Sequence, residues 1–289
     1  MLHNQREQTL RYIRDRRCAS GGYCFYRLDE PNAADTFYAV ASYRLLDEPV
    51  PDDEVTVRLL HRFQHIDGSY ANVHVGSAVI RGLVLLGERP ARDPSGWILD
   101  TLTLADQAGR PVESVSEFER LFAAIDCCMA LGIAIPAPVS QALVPAILRY
   151  RHPDGGFGSR GSTLIETSHA AAILAALGYD VNSLGLEPFI RRCEDPAFGF
   201  LSVPGVRPGF LEHVHAGLRL CAVLGYPSPF SDACEPFVRR CYRENGGYCR
   251  SLYGGSPTLE CTWRALESLA LVRSVFGSRQ DQDKTEGPR

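Results

Sequence analysis

Two glutamate-histidine pairs carry the most chemistry in this chain. Glu166 precedes His169 by three residues in "ETSHAAAILAALG", and Glu212 precedes His215 by three in "EHVHAGLRLCAVLG". On a helix that spacing puts both side chains on one face. Carboxylate and imidazole placed this way on neighbouring helices can hold a Zn, Fe or Mn ion, or can work on a substrate as acid and base. A third segment, "ECTWRALESLALV", opens with Glu260 and Cys261 and adds a carboxylate and a thiol. The pattern predicts a metal site built from Glu166, His169, Glu212, His215, Glu260 and Cys261, with His213 at its flank. Histidine and cysteine donors favour zinc, and a site of nitrogen and oxygen alone would suit Fe or Mn. Glu166, Glu212 and His215 are the candidate catalytic groups. A structural reading stands beside this one. An acid at a helix start complements the positive N-terminus, Asp35 holds the same place, and the histidines fall where Tyr38 and Trp263 are aromatic.

The three segments belong to a longer series. Apolar runs open at Asp35, Val75, Arg120, Glu166, Glu212 and Glu260, at separations of 40, 45, 46, 46 and 48 residues. Most follow a glycine-aromatic signal: "GGYCF" at 21, "DGSY" at 67, "DGGFG" at 154, "FGFL" at 198 and "GGYC" at 246. Between the runs lie more amphipathic stretches, such as "DEVTVRLLHRFQH" and "VSQALVPAILRYRH". Each repeat is thus a helical hairpin, with a charged outer helix and an inner helix apolar nearly all round. About six hairpins whose inner helices are buried on both flanks favour closure into a ring, an all-α toroid around a central cavity. The paired glycines precede no strand and no Walker lysine, so they read as turn and packing devices rather than a phosphate cradle.

Composition narrows the partners. The 289 residues are 45% hydrophobic and 22% charged, with a formal net charge of -4. That balance gives no basic footprint for nucleic acid. No apolar window is long enough to span a bilayer and the polar N-terminus lacks a leader's apolar core, so the expectation is a cytoplasmic protein. Ten cysteines without a Cys-x-x-Cys pair read as reduced, buried thiols. The expected domain is one toroid over 1–275, followed by a loose polar tail over 276–289.

"GGYCFYRLDEPNAADTFYAVASYRLL" and "DGGFGSRGSTLIETSHAAAILAALG" resemble the repeats of the prenyltransferase and squalene-cyclase superfamily, which run Gly-Gly-Phe, loop, acid, Thr-Tyr-x-Ala. The resemblance covers roughly residues 5 to 275 and looks nearest in size to the β subunit of the protein prenyltransferases. It implies an α/α toroid and a prenyltransferase-like enzyme acting on an isoprenoid diphosphate or another hydrophobic small molecule. A small terpene cyclase or repurposed metal enzyme is the alternative, and a non-catalytic toroid that binds a lipid or peptide end is another. The resemblance also raises Mg with a diphosphate substrate, and a partner subunit by analogy. Where that family holds its zinc, this chain has Phe210, Glu212 and Trp263, so the family triad is not reproduced. Arg207 and Pro204 fall near the family's diphosphate-binding lysine and arginine, and "PDDE" at 51 is a poor match to a cyclase acid cluster.

Substrate contacts are expected from loop arginines and ring aromatics. Arg27, Arg160, Arg207 and Arg250 lie between an aromatic turn and an inner helix, where guanidinium groups suit a diphosphate or carboxylate. Tyr38 and Trp263, with Phe37, Tyr26 and Tyr253, offer apolar and π surface for an isoprenoid or a carbocation.

Overall fold

The computed structural model describes residues 3–26, 30–104 and 116–276. Arg27 and positions 277–289 of the expected tail lie outside the described residues. Among the described residues six outer helices alternate with six inner ones. The outer set is α1 (His3–Arg14), α3 (Asp53–Arg62), α5 (Ser95–Leu104), α7 (Ala137–Leu148), α9 (Glu187–Cys193) and α11 (Ser231–Arg240). The inner set is α2 (Ala33–Leu45), α4 (Val73–Leu85), α6 (Ser116–Leu131), α8 (Leu164–Ala176), α10 (Leu211–Leu224) and α12 (Leu259–Phe276).

Each inner helix packs on the next, and α12 packs back on α2, so the ring closes. Side chains from the two ends of the chain tie the seam. Thr9 Oγ1 donates to the Gly246 carbonyl at 2.9 Å, Tyr12 hydroxyl to the Pro257 carbonyl at 2.7 Å, and Tyr242 hydroxyl to Gln8 Oε1 at 2.6 Å.

The glycine-aromatic signal has one structural meaning throughout. Gly246 sits at φ +93°, in the left-handed region that glycine enters without strain, and a Cβ on the following Gly247 would fall 2.5 Å from the Tyr12 ring. The chain can therefore turn tightly under an outer helix and aim its aromatic inward. Tyr23, Phe157, Phe200 and Tyr248 are all buried as a result, each side chain contributing on the order of 2 kcal/mol of hydrophobic stabilisation. The turns close through single bridges, Arg17 with Tyr23, Arg151 with Phe157 and Tyr242 with Tyr248. In the fifth repeat the same element lengthens into a strand pair, β1 (Glu194–Asp195) and β2 (Gly199–Phe200). The outer helix α9 ends at Cys193 for that reason.

A threonine one turn into the inner helix, after an acid in α2 and α8 and after Cys261 in α12, locks the turn to the helix. Thr36, Thr167 and Thr262 accept the backbone N–H of Tyr23, Phe157 and Tyr248 at 3.1, 2.9 and 3.2 Å. Asn32, Asn72, Thr163 and Thr258 cap the starts of α2, α4, α8 and α12. All inner helices run in one direction, so these caps and their loops form one rim of the ring and the helix C-termini form the other.

Candidate functional site

The acids at the capped rim divide into two kinds. Glu166 is buried and accepts from Ser159 N at 3.1 Å, Ser159 Oγ at 3.0 Å and Thr163 Oγ1 at 3.0 Å. Asp35 performs the same service for its own loop, accepting from Phe25 N at 3.0 Å. These two acids hold loops in place. Glu212 and Glu260 instead hold arginines: Arg250 Nε donates to Glu212 Oε1 at 2.6 Å, and Arg264 donates to Glu260 Oε1 through Nε at 3.1 Å and through a terminal nitrogen at 2.8 Å.

One turn deeper the lumen wall is aromatic. Trp263 stacks on Tyr38 at 5.3 Å and meets Phe37 edge-on at 5.6 Å. Across the ring His169 stacks on Phe122, 4.5 Å between centroids at 13°. The two histidines at aromatic positions therefore keep aromatic packing roles, and His215 likewise meets Trp263 edge-on at 5.2 Å.

His215 also joins a polar chain. Its Nε2 hydrogen bonds to Glu267 Oε2, while Arg264 donates a terminal N–H to its Nδ1 at 3.3 Å. Guanidinium can only donate, so Nδ1 carries no proton and the ring proton sits on Nε2, facing the carboxylate. Burial pushes the His215 pKa down, which agrees with a neutral ring. Burial pushes Glu267 the other way. The His215 hydrogen bond, then Arg219 and Arg81, outweigh it and hold the carboxyl below its ordinary range. Glu260, Arg264, His215 and Glu267 thus form one connected run from the rim into the lumen.

Two further arginines reach across the lumen. Arg81 on α4 lies 4.2 Å from the Phe37 ring centroid, 5.9 Å from that of Trp263, and 3.2 Å from Asp126 on α6. Arg219 on α10 extends to Phe122 on α6, 5.2 Å from the ring centroid. His169, between them on α8, is driven down to about 3 by burial first and then by the charges of Arg219 and Arg264. At the far rim a cavity of about 350 Å³ opens between α2, α4, α6 and α12, with Phe37, Arg81, Trp263 and Glu267 on its inner side and Ala41, Leu45, Val84 and Ala130 toward the mouth. A larger depression of about 650 Å³, around Arg191 and Tyr226 on the outer surface, is remote from this chemistry.

The expected site residues are therefore brought together only in part. His215, Trp263 and Tyr38 share one wall, with His169 across from them. Glu166 is bound up in its loop, and Glu212 and Glu260 in arginine pairs. Cys261 is buried, its thiol pKa raised by that burial, and its backbone N–H is taken by the Thr258 cap. His213 accepts from the Phe210 backbone N–H at 3.3 Å, at the helix start. Among the described residues no three His, Cys, Asp or Glu side chains form a group that could hold a metal ion. As they stand in this structure, the six expected donors are not gathered into one coordination shell. Arg207 and Arg250 stay on the rim, Arg207 held by buried Asp195 at 2.7 Å and Arg250 by Glu212. Arg160 is on the same rim by its place in the loop before α8, and Tyr26 and Tyr253 are 74% and 72% exposed there.

Sequence reasoning missed Arg81, Asp126, Arg219, Arg264 and Glu267. A signal for four of them exists. They are charged residues six or seven positions into otherwise apolar inner runs, at Val75 plus six, Arg120 plus six, Glu212 plus seven and Glu260 plus seven. A charge inside a helix buried on both flanks needs partners, and equivalent positions of a ring supply them.

The profile of the prenyltransferase alpha-alpha toroid domain matches residues 1–86 and 112–286. No curated protein sequence matches the chain. Among solved structures, Candida albicans protein geranylgeranyltransferase-I complexed with GGPP is similar in fold at 13% identity, with a TM-score of 0.69 over 93% of this chain and 91% of that one. A protein from Actinoplanes is similar at 15% identity, with a TM-score of 0.54 over 93% and 98%. No helix among the described residues is long and apolar enough to cross a membrane.

Proposed function

Because this chain belongs to the prenyltransferase alpha-alpha toroid family, we propose that its lumen binds an isoprenoid diphosphate, or another small hydrophobic molecule with an anionic head, and that the protein is a prenyltransferase-like enzyme. The observation that carries this reading is the pairing of an aromatic wall, Phe37, Tyr38 and Trp263, with arginines that cross the same space, Arg81 and Arg219. A prenyl tail would lie against the wall and extend toward the apolar mouth at Ala41, Leu45 and Val84. Such a site removes apolar surface from water, at about 25 cal/mol per Å² buried.

The same groups suit the chemistry of an allylic diphosphate. When the C–O bond breaks, the leaving group keeps the electron pair and guanidinium groups stabilise its charge. The π faces of Tyr38 and Trp263 stabilise the electron-poor allyl group that remains. His215 is neutral and oriented by Glu267, so its Nδ1 is the lumen's candidate base for an acceptor proton once Arg264 turns from it toward an anion. The imidazolium formed would be held by the Glu267 carboxylate.

Calorimetric titration with farnesyl and geranylgeranyl diphosphate tests the reading. The expected result is one-to-one binding that weakens about tenfold or more in Trp263→Ala. Absence of binding by both compounds to folded wild-type protein would remove it.

A further inference from the structure

We infer that Arg219 is the receptor for the ligand's anionic head group, in place of the arginines of the capped rim. The inference rests on the isoprenoid reading above and assigns one end of that ligand.

Among the described residues Arg81, Arg264 and Arg219 enter the lumen and differ in what they already hold, while Arg44 lines the cavity at its mouth with Nε on the Leu85 carbonyl at 2.7 Å. Arg81 is paired with Asp126 at 3.2 Å. Arg264 is bound to Glu260 and to His215. Arg219 is half-buried, and among the described residues no hydrogen bond or ion pair reaches it. Its guanidinium lies 5.2 Å from the Phe122 ring centroid. A guanidinium carries five N–H donors, and enclosing them without acceptors costs free energy that an anion would recover as charge-assisted hydrogen bonds.

The surroundings point the same way. From α8, His169 faces Arg219 as a neutral ring, able to donate or accept one hydrogen bond. From α6 come Phe122 and Asp126, the latter engaged by Arg81. From α12, Glu267 lies in the field of Arg219 but spends Oε2 on His215. One spare guanidinium therefore matches one anionic group, either a phosphate or a carboxylate. In the order of the ring α10 stands opposite α4, so a head group on Arg219 leaves the tail pointing across the lumen to the α2–α4–α12 wall, where Phe37 and Trp263 line the open cavity. By contrast the rim arginines Arg207 and Arg250 are neutralised by Asp195 and Glu212.

Calorimetry with farnesyl diphosphate, farnesyl monophosphate, farnesoic acid and neutral farnesol separates the outcomes, using wild type, Arg219→Gln, Arg219→Lys and Arg250→Gln. Wild type should prefer at least one of the anions over farnesol by about tenfold or more, and which anion wins identifies the head group as phosphate or carboxylate. Arg219→Gln should erase that preference while still binding farnesol, Arg219→Lys should keep part of it, and Arg250→Gln should leave it intact. In the fold Arg219 meets the Phe122 face and the field of Glu267 but makes no hydrogen bond or ion pair among the described residues, so its Gln variant should stay folded with a melting temperature close to that of wild type while losing the anion preference, a split that a merely structural role would not give. A preference that survives in Arg219→Gln, or disappears in Arg250→Gln instead, overturns the assignment while the isoprenoid reading stands. Failure of all four farnesyl compounds to bind wild type removes both.

Discussion

His215 and Glu267 are hydrogen-bonded across the packing seam of α10 and α12, and Arg264 closes the other nitrogen of the same imidazole. That arrangement makes His215 a neutral Nε2–H tautomer at neutral pH. Nitrogen-resolved NMR of the histidines should report it so, and an imidazolium at pH 7 would contradict the assignment. Glu267→Leu leaves the buried N–H without an acceptor and should cost about 1–3 kcal/mol in urea denaturation.

Acid should destabilise the protein before any carboxylate of ordinary pKa titrates. His169 and His215 have folded pKa values below the ordinary histidine value of 6.5, so below that pH the unfolded chain binds protons that the folded one refuses. Stability is complete above about pH 6.5 and falls as pH drops toward about 4, at roughly 1.4 kcal/mol per pH unit per histidine. Glu267, held below its usual range, adds to the loss at still lower pH. Denaturation midpoints measured between pH 7.5 and 4 should show this slope, and His169→Phe, which keeps the stack on Phe122, should flatten it. An unchanged slope in that variant would mean that His169 is protonated in the fold.

Glu166 should behave as a loop latch. Glu166→Ala strips acceptors from Ser159 and Thr163 and should cost about 1–3 kcal/mol. The metal content of purified protein, measured by mass spectrometry, should be the same with and without this substitution. A stoichiometric metal lost in Glu166→Ala would require the loop from 159 to 163 to be arranged differently.

The ten cysteines are all free and buried, and burial raises the thiols of Cys127, Cys193, Cys234 and Cys241 to about 12. A thiol-specific chromogenic reagent at pH 8 should label native protein slowly and all ten thiols after denaturation. Rapid labelling of one thiol in the native protein would single out a site that opens locally.

The sequence by itself determined the ring. Six apolar runs at nearly even spacing, most of them introduced by a glycine turn that buries one aromatic and two of them by an acid-threonine pair that pins the turn, specify six hairpins whose inner helices must bury both flanks. Closure satisfies them all, so the fold was legible from pattern alone. The sequence also marked acids at the helix starts, at Asp35, Glu166, Glu212 and Glu260, although Glu212 and Glu260 stand one residue earlier in their helices and His213 and Cys261 take the place that Asp35 and Glu166 hold after the cap. What each of those acids holds was decided only in three dimensions, because it depends on which loop lies over it. Ser159 folds back on Glu166, Arg250 reaches Glu212 from the next repeat, and Arg264 turns to Glu260 from the same helix. Arg81 and Arg219 each cross the lumen to a helix that is not their neighbour. Spacing along one helix records which residues share a face, but the partners of a charge in a closed ring come from other repeats, and only the closed ring brings them within reach.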